Sequence, residues 1–100
     1  MNMPMTQGEQ AVNWPAGETL AVLERIIVAP TTGVFHRLNS PHAIRDGDVI
    51  GRGDVIGTVQ SLGASTPIKS PFEGSLVAIL ASDGERLRPG QAVAWLRTRQ

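Results

Sequence analysis

Six side chains able to move protons or clamp anions crowd into the stretch from position 36 to position 48: His36, Arg37, His42, Arg45, Asp46 and Asp48. Histidine is the group most easily tuned for proton transfer near neutrality, and arginine grips a carboxylate or phosphate through two parallel hydrogen bonds. His36, Arg37, His42 and Asp46 could therefore serve acid–base catalysis on a small substrate without a cofactor. The plainer alternative is a run of solvated strand and loop charges. A metal is not expected, because His36, His42, Asp46 and Asp48 lack regular ligand spacing. Other chemistries have no carrier. There is no cysteine, hence no thiolate and no disulfide framework. No Gly-x-Ser-x-Gly elbow occurs, and Gly51-Arg52-Gly53 reads as a β-turn, not as a phosphate loop opening a helix. Arginine dominates the basic residues, and Lys69 is the sole lysine.

These residues sit on a chain that repeats itself. Val28-Ala29-Pro30-Thr31-Thr32-Gly33 matches Lys69-Ser70-Pro71-Phe72-Glu73-Gly74, an offset of 41 residues (71 − 30). Gly47-Asp48-Val49-Ile50, followed by Gly53, matches Gly84-Glu85-Arg86-Leu87, followed by Gly90, an offset of 37 (90 − 53). The first half thus carries four extra residues (41 − 37), placed in a short insert over residues 39–46. Each half reads as strand, Pro-x-x-Gly turn, strand, loop, short strand, Gly turn, strand. Pro stops the first strand and Gly permits the reversal that follows. Between the halves, Val55–Gln60 alternates with period two, Ser61-Leu62-Gly63-Ala64-Ser65 has turn chemistry, and Thr66–Ser70 resumes an extended pattern. This predicts a hairpin with its tip at residues 61–65.

The expected fold is all-β: a flattened barrel or sandwich of two half-repeats related by a pseudo-twofold, with very little helix. Residues 1–16 read as a polar tail carrying Trp14, and residues 17–100 as one domain. Glu18–Arg25 fits either a helical turn or a leading strand. Phe35, Phe72 and Trp95 are assigned to the core or a dimer interface, and Lys69 and Glu73 to an exposed ion pair.

Composition narrows the partners. A formal net charge of zero, with no basic block, argues against nucleic acid. No apolar run approaches the roughly 20 residues of a membrane span, and Met1-Asn2-Met3-Pro4-Met5 lacks the pattern of a signal peptide. The expectation is a cytoplasmic protein with no membrane partner. A small core with an open edge strand points to a homodimer.

With its Ala-Pro-x-x-Gly and Gly-Asp-x-Ile-x-x-Gly-Asp-x-Ile blocks, the region from Ile26 to Arg97 resembles the biotinyl/lipoyl carrier domain family. Gly33-Val34-Phe35-His36-Arg37 and the insert containing Ser40-Pro41-His42-Ala43 are most similar to the biotin carboxyl carrier branch of acetyl-CoA carboxylase, where the insert forms a protruding thumb. The resemblance implies the all-β hybrid fold and a setting in fatty acid biosynthesis. It also implies a hairpin tip reading Ala-Met-Lys-Met, whose lysine carries biotin, or lipoate in the sister branch. Aligned from Ile68-Lys69-Ser70-Pro71, those positions hold Ser61, Leu62, Gly63 and Ala64. Gly63 occupies the acceptor position, so no prosthetic group is expected, and Lys69 aligns away from the turn. The prosthetic group supplies the chemistry in such proteins. Three readings follow: an unmodified carrier-like module that binds carboxylase subunits, a cofactor-free enzyme or binder of a small apolar biosynthetic ligand using His36 and Arg37, or a conventional carrier modified elsewhere.

Overall fold

The structure is a computed structural model that describes residues 22–99; the N-terminal stretch with Trp14 lies outside them. Eight strands follow one another: β1 (Val22–Val28), β2 (Gly33–His36), β3 (Val49–Ile50), β4 (Val55–Ser61), β5 (Ala64–Lys69), β6 (Gly74–Ile79), β7 (Arg86–Leu87) and β8 (Ala92–Arg99). No helix occurs among the described residues, in agreement with the all-β expectation. Val22–Arg25, left open between helix and strand by the sequence, belongs to β1, where it pairs with the last residues of β8.

The strands form two antiparallel four-stranded sheets, ordered β1-β8-β6-β3 and β5-β4-β2-β7. Exchanging β1–β4 with β5–β8 turns one order into the other, so the pseudo-twofold is complete. Each sheet takes two strands from each half, and neither half can cover its apolar face alone.

The core follows the same exchange. Ile27, Phe35, Ile50, Ile56 and Val59 from the first half are buried with their counterparts Ile68, Leu76, Leu87, Val93 and Leu96 from the second. Truncating one of these, such as Phe35→Ala, removes about 3–5 kcal/mol, the usual cost of a large core aromatic. Among the described residues Ser70 is the one polar side chain at the same depth, and it is satisfied: its hydroxyl donates to Phe72 O at 2.6 Å and accepts from Phe72 N at 3.1 Å.

The turns are duplicated too. Asp48 Oδ2 accepts from Arg45 N at 2.9 Å, and Glu85 Oε1 accepts from Ser82 N at 2.8 Å. Asp54 Oδ2 accepts from Gly51 N at 2.7 Å, and Gln91 Oε1 accepts from Arg88 N at 3.0 Å. Between the halves, Gly47 N donates to Leu76 O and Gly84 N to Phe35 O, both at 2.7 Å. These glycines take φ of +92° and +88°, a conformation that side-chain-bearing residues rarely adopt.

One expected contact is absent. Lys69 and Glu73 form no ion pair among the described residues; Arg97 instead pairs with Glu24 at 2.9 Å, both side chains exposed. The two carboxylate oxygens of Glu24 accept from Trp95 Nε1 and Arg97 Nε across the β1–β8 ladder, where Glu24 and Arg97 are register partners. Phe35 is core, whereas Phe72 is half-buried beneath the Arg25 guanidinium, 5.4 Å from the ring centroid.

Candidate functional site

The β4–β5 hairpin is zipped to its end: Val59 pairs with Thr66, Gln60 with Ser65, and Ser61 with Ala64. Only Leu62 and Gly63 remain as the turn. Their φ values are +51° and +80°, the two positive angles of the primed turn that matches strand twist. The turn is therefore tighter than the five-residue tip read from the sequence, because Ser61 and Ser65 enter the ladder instead of looping out. Pro67 lies opposite Thr58 without disrupting the sheet, since β5 is an edge strand and one side of it needs no N–H.

Leu62 projects fully into solvent, at 103 % relative exposure, and Gly63 has no side chain. No amine stands at the tip. Lys69 pairs with Val55 at the root of the hairpin. At the usual strand rise this is about 17 Å from Ala64.

The insert leaves β2 at Arg37 and turns at Asn39, whose carbonyl accepts from His42 N at 2.8 Å. It separates two clefts. The larger, about 780 Å³, lies between the insert and the β3–β4 region, lined by Leu38, Asn39, Ser40, His42, Ile44, Asp48, Val49, Ile50, Asp54 and Val55. The smaller, about 490 Å³, runs from the insert toward the hairpin tip, lined by His36, Arg37, Leu38, Asn39, Thr58, Gln60, Ser65 and Asp83.

The polar cluster picked out in the sequence is thereby divided. His36 and Arg37 line the smaller cleft and His42 the larger. Asp46 lines neither, and Asp48 spends one oxygen closing its own turn. His36, Arg37, His42 and Asp46 do not converge as a single acid–base set. The four are divided because the insert carries His42 and Asp46 away from the end of β2, where His36 and Arg37 stay together.

Asp83, absent from the sequence reading, is the partner that His36 and Arg37 acquire. Its Oδ1 accepts from Arg37 N at 2.7 Å and lies 3.9 Å from His36 Nδ1. The repeat offered the signal: Asp83 is the counterpart of Asp46 at the 37-residue offset. Side chains of His36 and Asp83 are 43 % and 61 % exposed, so the pairing is solvated and contributes little. Among the described residues no three His, Asp or Glu side chains group as a metal ion requires.

A family model described as Biotin-requiring enzyme, the biotin/lipoyl attachment domain, matches residues 25–96. No curated protein matches the chain. The match spans well over half of the sequence, and the chain belongs to the biotin/lipoyl attachment family.

Proposed function

We propose that this biotin/lipoyl-family domain carries no prosthetic group and works instead as a binding module, an accessory or scaffold component beside the subunits of an acyl-CoA carboxylase. The observation that carries this reading is the composition of the tip. An amide-linked arm needs a side-chain amine where the hairpin turns, and the turn consists of Leu62 and Gly63. The residues present do not fit the group. Lys69 does not substitute for a tip lysine, because it sits in a paired strand at the hairpin root and not on a projecting turn. Swinging-arm transfer then has no chemical basis, and what remains is a rigid β-scaffold that presents a hairpin and an insert.

Intact-mass measurement tests this directly. Protein co-expressed with biotin ligase and lipoyl ligase, with both cofactors supplied, should keep its unmodified mass. A discrete biotinyl or lipoyl increment, on Lys69 or elsewhere, would return the chain to the conventional carriers.

A second reading is supported by the larger cleft. Leu38, Ile44, Val49, Ile50 and Val55 give it an apolar lining beside His42, Asp48 and Asp54, in a volume suited to a small molecule. A binder of a small apolar ligand would use this cleft, with His36 and Arg37 lying outside it. Soaking crystals with a panel of apolar fragments checks it: density confined to this cleft supports the reading, and an empty cleft throughout removes it.

A further inference from the structure

The hairpin tip breaks two rules at one residue. The turn demands positive φ, which costs leucine free energy that glycine or asparagine would not lose. Leu62 nevertheless occupies it at φ +51° and gains no burial in return, because its side chain is wholly exposed. Nothing in the fold asks for leucine there.

The surroundings point the same way. From Val55 to Ile68 no residue is charged, although charged residues make up 18 % of the chain. Ala64, Ser65, Thr66 and Pro67 on β5 are all exposed. The pseudo-twofold supplies an internal control. The positions equivalent to Gln60, Leu62, Ser65 and Thr66 at the opposite end are Arg97, Arg99, Glu24 and Arg25. One end of the same architecture is densely charged and the other is neutral. A neutral projection sheds water cheaply, and the centres of protein interfaces are depleted in charge in the same way.

We infer that Leu62 is an anchor, inserted with the neutral hairpin tip into an apolar pocket on a partner protein. The pocket accepts one branched aliphatic side chain, and neutral hydrogen-bonding groups at its rim meet Gln60, Ser61, Ser65 and Thr66. A single aliphatic anchor in a closed pocket surrounded by near-neutral contacts is how small interfaces concentrate their affinity. This rests on the binding-module reading and specifies the surface that module uses.

The test compares the full chain with its Leu62→Asn variant, which gives the Asn-Gly pair the turn prefers. Thermal unfolding, sedimentation and titration against the purified biotin carboxylase and carboxyltransferase subunits of the source cell are measured on both. The inference expects Leu62→Asn to raise Tm by a few degrees while weakening binding to one subunit at least tenfold. Binding equal in both proteins overturns the anchor and leaves the accessory reading standing. Absence of binding to every subunit overturns both. A fall in Tm overturns the anchor, because the leucine would then be serving the fold. A wild-type dimer that Leu62→Asn dissociates also overturns it, by making a second copy the occupant.

Discussion

At the scale of single residues, Gly33 and Gly74 show what sequence spacing conveys and what it hides. Both were legible as the glycine of a Pro-x-x-Gly turn. Their shared structural reason is close approach, to which Gly33 adds a φ of +150°. A Cβ on Gly33 would lie 2.5 Å from Gln60 O and 2.6 Å from Val59 Cγ1; one on Gly74 would lie 2.5 Å from Arg97 O and 2.8 Å from Thr98 Cγ2. In each case the obstacle includes backbone of the neighbouring strand, which cannot step aside cheaply. Gly33→Ala and Gly74→Ala should therefore each destabilise the domain by about 2 kcal/mol, as overpacking does, read from the urea midpoint. Gly63→Ala is the contrast. Nothing lies within 4 Å of its Cβ position, and only its φ of +80° resists a side chain. A loss nearer 1 kcal/mol is expected there. A loss at Gly74, whose φ is not positive, no larger than that at Gly63 would mean that the neighbouring strand yields and that crowding does not govern the position.

At the scale of elements, the insert and the hairpin were legible to different degrees. The change of offset from 41 to 37 located an insertion, since the hydrogen-bonded turns at Arg45–Asp48 and Ser82–Glu85 are counterparts at the second offset. It could not show which way the insert points, and so could not tell that His36 and His42 face different clefts. Leu80 and Ala81 make the equivalent connection in the second half with Ala81 buried, and Ile44 packs on the core in the first. Deleting Asn39–His42 should leave a connection of matching length. Tm should shift by only a few degrees, and the larger cleft should open out into surface. Collapse of the fold would show that the insert contributes to packing. In the hairpin, alternation located both strands but not the register that draws Ser61 and Ser65 into the ladder. That register presents position 63 at the summit of a two-residue turn. The triple variant Leu62→Met, Gly63→Lys, Ala64→Met should accordingly become a substrate for biotin ligase, detected as a mass increment on the new lysine. A persistently unmodified product would place the incompatibility in the scaffold and not in the tip.

At the scale of the whole molecule, the pseudo-twofold relates the β4–β5 hairpin to the place where the described chain starts and stops. Val22 is the register partner of Arg99, just as Ser61 is of Ala64. The two ends of the domain are built alike: one is closed by Leu62-Gly63, and at the other Val22 and Arg99 form the last described pair. The bonds that hold the sheets are indifferent to which end is joined, because β1 pairs with β8 as β5 pairs with β4, and both sheets mix the halves. A circular permutant that begins at Gly63, runs through Gln100 into Met1, and ends at Leu62 should therefore fold to the same sandwich. Chain breaks are best tolerated at exposed turns whose flanking strands stay paired. Opening the turn also releases the positive φ of Leu62, which offsets part of the loop-closure entropy lost with the covalent link. The expected cost is about 1–2 kcal/mol, with a circular dichroism spectrum and amide exchange pattern matching the parent. A separately expressed piece ending at Leu62 should stay unfolded until the complementary piece is added, because each sheet lacks half its strands without it. If that piece folded alone, the interlocking of the halves would not be what stabilises the domain, and the permutant's stability would need another explanation.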